Sequence, residues 1–429
     1  MTTTEPHVST AAATAPAAVP APPTTESPTV EEAGHRIFDP AWKHDPYPSY
    51  AVLREAGPFV PGPFGLQLAT RYAEIDVIME DPSWSHAEEP KLLHPDSDGS
   101  DLPASFLWME PPDHTRLRRL VSKAFTARRV DGLRQQVEGV AGKLIDDVIN
   151  AGEVDWVEQV AYPLPLTMIT DMLGVPAEAH DLVRSMSYGI ARGLDPDLML
   201  TPQELANRAT SAKAFKDYFG ELVVERRKNP KDDLISDLAR VEAEGERLTT
   251  DEMLSTLVVL VVAGHETTVN LIGNGLLSLI RWPDQYAALC ADPELARPAI
   301  DELMRFDGPS HFTTREATKR VEVGGRVFEA GEGAIMLLAS GNRDFRAYTD
   351  PDRLDLARYA RSESVPRHLG FGVGRHYCIG APLVRVEMEA VLRTLADRAP
   401  RLELLADPPP YRPNLVVRGL HSLPVQLSS

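Results

Sequence analysis

The stretch FGVGRHYCIG at residues 371–380 sets one of the chain's two cysteines, Cys378, among glycines and just ahead of a segment with helical periodicity at 382–398. A cysteine at a helix entrance meets free backbone N–H groups and the positive end of the helix dipole, and both stabilise a thiolate. An isolated cysteine is more often a small buried apolar residue. The flanking glycines reverse that balance, so the stretch predicts a metal-ligating thiolate.

The other cysteine, Cys290, lies far from Cys378 and shares no repeated spacing with it, so the sequence predicts no disulfide framework. A closed zinc site would need three further Cys or His ligands at suitable spacing. A porphyrin supplies four nitrogens to its metal and needs a single axial thiolate from the protein. The lone thiolate therefore favours porphyrin iron over zinc.

The most apolar segment of the chain runs from Met253 to Ile280 and predicts one long helix. Thr249 and Glu252 precede it with the spacing of a capping box. Its unbroken apolar stretch, 257–264, is far shorter than the roughly 18 residues of a membrane span, and HETT follows it directly. We therefore expect a buried core helix and no membrane span.

Midway along this helix, AGHETT at 263–268 sets Glu266 and two threonines where a packed helix would prefer hydrocarbon. One explanation is an ion pair, with hydroxyls that bond back to the preceding turn. The other is functional: Ala263 and Gly264 remove side-chain bulk so that a flat cofactor can lie against the backbone, and the acid and hydroxyl transfer protons. The residues alone leave both explanations open.

The two stretches together resemble the cytochrome P-450 superfamily, in which FGVGRHYCIG is similar to the cysteine-loop signature and AGHETT to the motif of the oxygen-activating helix. The family's Glu-x-x-Arg pair is matched by Glu302 and Arg305, and its later charged partner by Arg358, although Leu354 replaces the usual Phe. Further stretches similar to soluble bacterial members are DPYPSYAVLREAGP at 45–58, MEPPDHTRLRRLVSKAF at 109–125 and NRD at 342–344.

The resemblance covers about residues 38–427 and implies the cytochrome P-450 fold, with a haem between the oxygen-activating helix and the helix after the cysteine loop. Apolar periodicity independently predicts a mainly α protein with small β-sheets. Its helices include 128–150, 203–228 and 382–398, and its β-runs are 59–69, 320–340 and 413–427. We predict a single haem-thiolate domain over residues 35–429 after a disordered tail at 1–34, which is rich in Ala, Pro and Thr.

The resemblance also implies roles for individual residues. Cys378 would be the axial ligand of haem b, iron protoporphyrin IX, and Phe371, Gly380, Ala263 and Gly264 would lie against the porphyrin. The propionates would be held by His114, Arg118, Arg315 and His376. His114 and Arg118 are four residues apart on one predicted helix face, a spacing suited to gripping a carboxylate, although a solvated basic face is the ordinary alternative.

In catalysis, the resemblance assigns Thr267 to hydrogen-bond the bound O2 and Glu266 to relay protons through water. Electrons would come from a separate ferredoxin and its ferredoxin reductase, and the basic residues Arg116, Arg119 and Arg375 are candidates for docking the donor. For Glu302, Arg305 and Arg358 we expect a structural role, as a buried charge network that supports the cysteine loop.

Composition restricts the partners of the protein. A formal net charge of −19 opposes attraction to nucleic acid or to anionic membrane surfaces, so we expect neither as a partner. The first 35 residues carry no Lys or Arg and no unbroken apolar stretch, which is unlike an export signal. With only two cysteines, a cytoplasmic location is expected.

The substrate is expected to be a small lipophilic or amphipathic natural-product intermediate, hydroxylated or epoxidised. The resemblance assigns the pocket to the stretches 85–108, 185–205, 259–267, 311–314 and 417–420. Two other functions remain as alternatives: a haem-thiolate nitric oxide reductase or peroxygenase, and a haem-binding sensor or carrier that catalyses no reaction.

Overall fold

A computed structural model describes residues 27–87, 105–124, 126–240, 242–243, 246–361 and 364–428. Most of the predicted tail and the centre of the predicted pocket loop, 88–104, lie outside these ranges. The first helix, Val30–Arg36, has a capping box in which Thr29 and Glu32 bond to each other's backbone. This helix crosses the predicted boundary between residues 34 and 35, so the folded chain begins earlier than that boundary.

Helices make up most of the described chain, as the sequence predicts. They are α1 Val30–Arg36, α2 Tyr47–Ala56, α3 Tyr72–Glu80, α4 Asp113–Ala124, α5 Ala127–Gly132, α6 Arg134–Ala151, α7 Pro163–Leu173, α8 His180–Arg192, α9 Pro202–Lys228, α10 Leu234–Arg240, α11 Thr250–Val258, α12 Gly264–Arg281, α13 Pro283–Ala291, α14 Ala296–Asp307, α15 Leu338–Gly341, α16 Arg358–Arg361 and α17 Ala381–Arg398. The predicted helix 128–150 is two helices, α5 and α6, which meet at Leu133.

The central helix, Thr250–Arg281, consists of α11, a π-helical turn at Val259–Ala263 and α12. The predicted capping box is present, with the Thr249 side chain accepting from the Glu252 amide. By length and composition the segment could cross a membrane, but 72% of its apolar window is buried inside the protein. Its apolar surface is therefore used in packing, as in the core helix of a soluble protein.

Within the described ranges, four small sheets accompany the helices, built from β1 Phe59–Pro61, β2 Gln67–Ala69, β3 Trp84–Ser85, β4 Glu153–Asp155, β5 Glu242–Ala243, β6 Glu246–Arg247, β7 Phe312–Ala317, β8 Val321–Val323, β9 Arg326–Phe328, β10 Gly333–Leu337, β11 Arg401–Leu404 and β12 Pro424–Ser428. The largest has the order β1-β2-β10-β7-β3, in which only β2 and β10 run parallel.

The predicted β-runs are confirmed at 59–69 and 320–340, whereas only the end of 413–427 is a strand. β7 was not predicted, because its sequence FTTREA lacks a simple apolar alternation. This strand is stabilised by pairing with β10 and β3 on its two sides, which no local pattern reveals. β7 matters for the site because it carries Arg315, paired in register with Ala334.

The largest apolar cluster surrounds the central helix and includes the fully buried Trp156. At Gly275 of α12, the side chains of Leu303 from α14 and Met388 from α17 approach the helix backbone closely. α14, which carries Glu302 and Arg305, and α17, which follows the cysteine loop, thus pack on the same stretch of the central helix. Because closely packed interiors resist deformation, this contact fixes the position of the cysteine loop relative to the polar turn of the central helix.

Candidate active site

The cysteine loop is a tight turn ending at the first residue of α17. Gly372 and Gly374 have φ values of +70° and +65°, a region that favours glycine. Beyond the short 3-10 turn Gly374–His376, the Cys378 amide donates to the Phe371 carbonyl at 2.8 Å. The glycines noted in the sequence therefore serve the turn that presents Cys378 at the helix entrance.

The Cys378 thiol is subject to opposing influences. Burial raises its pKa, whereas the backbone amides of Gly380 and Ala381, followed by Arg118 and Arg385, lower it. The amides predicted to stabilise a thiolate are thus in place, but burial outweighs them in the free protein. A bound metal cation adds the stabilisation that deprotonates a coordinating thiol.

The predicted propionate-binding residues come together beside this loop. The His114 and His376 rings lie 4.5 Å apart between centroids, and Arg118 donates to the Tyr377 carbonyl next to Cys378. Arg315, on β7, is buried and donates to the Thr314 carbonyl at 2.6 Å. Residues from α4, β7 and the cysteine loop therefore form one basic pocket.

This pocket fits a buried anion. Both ring nitrogens of His114 and Nε2 of His376 are buried without a hydrogen-bond partner among the residues that the structure describes. Burial, reinforced by neighbouring basic groups that include Arg315, lowers the pKa of His376 to about 2. Glu110 Oε1 lies 3.8 Å from His376 Nε2, beyond hydrogen-bond distance, and Arg118 and Arg315 bring positive charge to the same place. Buried ring nitrogens without hydrogen-bond partners beside two arginines are what porphyrin propionates would satisfy. The residues present thus fit a haem.

On the central helix, the π-helical turn ends at Ala263, directly before Gly264. Ala263 is exposed, and a Cβ at Gly264 would meet only Ile169, at 3.9 Å, so the helix offers a flat backbone surface here. Thr267 is partly exposed, and its hydroxyl donates to the Ala263 carbonyl at 2.7 Å. π-Turns inside α-helices are frequent at functional sites, and this one marks the AGHETT stretch.

Glu266 is buried, and both of its carboxylate oxygens have protein partners. Oε1 accepts from the Tyr162 hydroxyl at 3.1 Å, and Oε2 accepts from the Arg412 guanidinium at 2.9 Å. His265 completes the group, since its Nε2 lies 3.3 Å from the Tyr162 hydroxyl. Burial and the neighbouring carboxylate raise the pKa of Tyr162, so its phenol remains a proton donor. The ion pair expected as one explanation of AGHETT is therefore present.

Sequence reasoning missed Tyr162 and Arg412, because the two are 104 and 146 residues away from Glu266 in the chain and belong to no motif. It also missed His86, whose ring packs against His376 with centroids 5.4 Å apart. His265 lies inside AGHETT, directly before Glu266. Its position in the sequence therefore could have indicated that it belongs to this group.

A cavity of about 150 Å³ adjoins this group. Three of the predicted pocket stretches, 185–205, 259–267 and 417–420, contribute to its lining, whereas 311–314 does not. The lining residues are Ala191, Leu194, Val262, Ala263, Glu266, Thr267, Asn270, Arg412, Asn414 and Val417. The cavity is mostly apolar with a polar side, which suits an amphipathic ligand.

The predicted charge network is confirmed. Glu302 lies 2.7 Å from Arg305 and 3.0 Å from Arg358 in a region sealed from solvent. Two of the predicted docking residues already have internal partners, because Arg116 pairs with Glu252 and Arg375 with Glu110. Their role in docking a redox partner stays a prediction.

A lone cysteine presented by a glycine-lined turn, in a helical body built around one long polar-centred helix, is the architecture of haem-thiolate proteins. That is the class that the fold defines, and comparison with known proteins gives the family.

The sequence model of the cytochrome P450 family matches residues 89–398. The cytochrome P450 monooxygenase PikC of Streptomyces venezuelae is 37% identical, over 94% of this chain and 95% of its own. The 6-deoxyerythronolide B hydroxylase of Saccharopolyspora erythraea is 36% identical, over 89% of this chain and 96% of its own. The ligand-free structure of CYP164A2 from Mycobacterium smegmatis superposes with a TM-score of 0.83 at 36% identity, covering 92% of this chain and all of that one.

The chain belongs to the cytochrome P450 family. It is therefore an oxidoreductase, a P450 monooxygenase with a haem-iron cofactor. Its fold holds that haem between the central helix and α17.

Proposed function

We propose that this protein inserts one oxygen atom from O2 into a small lipophilic or amphipathic natural-product intermediate, by hydroxylation or epoxidation. It does so in the cytoplasm, with haem b as its cofactor and two electrons from a ferredoxin and ferredoxin reductase. The observation that carries the proposal is the basic pocket beside Cys378, in which buried His114 and His376 nitrogens have no hydrogen-bond partner in the described part of the chain.

Different parts of the site bind different parts of the haem. Cys378 holds the iron, and the basic pocket of His114, Arg118, Arg315 and His376 holds the two propionates. Phe371 and Gly380, on the side of Cys378, and Ala263 and Gly264, on the central helix, would lie against the bound haem. Bound in this way, a haem supplies the redox chemistry that activates O2, and the protein supplies position, protons and the exclusion of water.

Proton handling falls to the polar turn of the central helix. The Thr267 hydroxyl is anchored by donating to the Ala263 carbonyl, and Thr267 lines the cavity. Glu266 lines the cavity, and its side-chain oxygens accept hydrogen bonds from Arg412 and Tyr162. A positioned hydroxyl and carboxylate are what controlled delivery of protons requires.

The substrate class rests on the cavity and on named relatives. One relative is named as a hydroxylase of 6-deoxyerythronolide B, and another, from Pseudonocardia autotrophica, as a vitamin D(3) 25-hydroxylase. The cavity combines apolar walls from α8 and the central helix with the polar groups of Arg412 and Asn414. A ligand with one apolar body and one or two polar groups fits such a lining.

The test is the absorption spectrum of the purified, dithionite-reduced protein under carbon monoxide. Wild type should show the Soret position typical of thiolate-ligated haem, and Cys378→Ser should lose it. Cys290→Ser is the matched control, because Cys290 lies on α13, away from the cysteine loop, and should behave as wild type. A wild type without haem, or with a spectrum indifferent to Cys378, would overturn the proposal.

A further inference from the structure

Two walls of the cavity are joined through one buried carboxylate. Leu194, in the connection between α8 and α9, lines one side of the cavity, and Asn414 and Val417, in the C-terminal loop, line another. Asp195 follows Leu194 directly and is 0% exposed. Its carboxylate accepts the backbone N–H groups of Leu415 at 2.8 Å and Val416 at 2.9 Å.

The C-terminal loop is the fixed wall. It is bound to the body of the protein by the bridge between Ser310 and Val417 and by the Arg418 amide, which donates to the Pro309 carbonyl at 2.8 Å. These contacts do not involve the α8–α9 connection. The loop therefore keeps its place without Asp195.

The α8–α9 connection is the wall that Asp195 holds. Arg192 pairs with Asp195 and also with Glu204 at 2.8 Å, which ties the carboxylate to both helices. The outer surface of this segment faces solvent, since Leu198 is 67% exposed. Among the described contacts, the carboxylate of Asp195 is the charged link between this cover and the C-terminal loop.

Releasing that link leaves the Leu415 amide, which is buried, and the Val416 amide, which is partly buried, without their acceptor, and this is unfavourable. The cavity between the joined walls measures about 150 Å³. Pockets that take drug-sized ligands measure roughly 300–1,000 Å³, so a ligand of that size needs the walls to part.

We propose that Asp195 is a positioning residue that latches the α8–α9 connection onto the C-terminal loop and thereby selects ligands by size. Small ligands enter the latched cavity, and larger ones bind only when the carboxylate leaves the Leu415 and Val416 amides. The inference rests on the proposed function in that the latched space is the substrate cavity.

The first measurement is hydrogen exchange in the wild-type holoprotein, which needs no variant. The Leu415 and Val416 amides should exchange slowly, like amides of the surrounding core, because a buried carboxylate holds them. Exchange as fast as in an unprotected loop would overturn the latch, whether or not the protein is a monooxygenase.

The second measurement compares Asp195→Ala, which removes the acceptor of both amides, with Asp197→Ala, a control in the same connection that pairs instead with Arg208. Association rates are measured by haem absorbance for two iron-binding probes, imidazole and the bulky imidazole econazole. In Asp195→Ala, the Leu415 and Val416 amides should lose protection, and econazole should bind about tenfold faster, as loss of one charge-assisted hydrogen bond implies. Imidazole should bind at an unchanged rate, and Asp197→Ala should match wild type.

Two outcomes of this comparison contradict the proposal. If the two amides lose protection from exchange but econazole binds at the wild-type rate, Asp195 stabilises the loop without affecting ligand access to the cavity. Equal acceleration of both probes would indicate general loosening of the cavity. Failure of the proposed function is distinguishable, because a protein without haem gives no absorbance change with either probe while the exchange measurement remains informative.

Discussion

Two buried glutamates on different helices are both paired with arginine, but only one of them lies at the cavity. Glu302 on α14 is 0% exposed, and its oxygens are bonded by Arg305 and Arg358 and by the Asp355 amide at 3.0 Å. Its partners are satisfied in turn, since Arg305 also donates to the Asn342 and Pro351 carbonyls. This network is closed.

Glu266 on the central helix is 5% exposed and also pairs with an arginine, Arg412. Its network is open, because Arg412 keeps an Nε without a hydrogen-bond partner in the described chain and both residues line the cavity. Burial and pairing with arginine are common to both acids. Contact with the cavity, and an arginine partner that is not fully hydrogen-bonded, distinguish Glu266 from Glu302.

The largest effect is expected from breaking the closed network. Glu302→Ala strands two buried guanidinium groups, and removing one partner of a buried pair costs about 3–5 kcal/mol. We expect little folded, haem-containing protein, measured by haem content and by thermal unfolding. Glu294→Ala is the control, because its pair with Arg393 is exposed and should be worth under about 1 kcal/mol. Normal haem content in Glu302→Ala would refute the structural role.

A third glutamate, Glu387 on α17, is buried without any pairing in the described chain. Neither of its carboxylate oxygens has a hydrogen-bond partner among the described residues. Burial raises its pKa to about 8. A raised pKa means that its contribution to stability is complete below its unfolded-state pKa and is lost as pH rises through the folded-state value.

Glu387→Gln removes this titration. The free energy of unfolding of wild type relative to the variant should therefore fall by about 1.4 kcal/mol per pH unit between about pH 5 and 7. Chemical denaturation of both proteins across that range measures it. Parallel stability curves for the two proteins would show that Glu387 has a partner or is ionised when folded.

Substitution of Thr267, which lies beside the open network, should change catalysis and leave folding intact. We expect Thr267→Ala to bind haem and substrate normally but to release most reducing equivalents as peroxide, with product per electron pair falling roughly tenfold, because controlled proton delivery is lost. Thr268→Ala is the control, since the Thr268 hydroxyl bonds to the Gly264 carbonyl and does not line the cavity. Unchanged coupling would remove Thr267 from the mechanism.

The smallest effect is expected at the edge of the open network. Tyr162→Phe deletes one hydrogen bond to Glu266, worth about 1 kcal/mol, so turnover should fall several-fold while haem content stays normal. Tyr286→Phe, which removes a buried hydroxyl bonded to the Leu395 carbonyl, is a control for general stability loss. Equal turnover in both variants would show that Tyr162 does not act through Glu266.

Much of this architecture could be predicted from the sequence because its signals are local. The central helix is marked by a capping box and an apolar run, and the cysteine turn by glycines that its positive φ values require. The Glu302–Arg305 pair is three residues apart on one helix face, so it too was predictable. The strand that carries Arg315 was not, because its pairing partners lie elsewhere in the chain.

By itself, the sequence determined the family, the helical body and the glycine-rich turn that presents Cys378, because each depends on side chains within a few positions of one another. Only the tertiary structure decided that Arg412 and Tyr162 hold Glu266, and that Asp195 joins two walls of the cavity. Those contacts link residues more than a hundred positions apart, and they form only when packing brings distant segments together and leaves buried polar groups that must be satisfied.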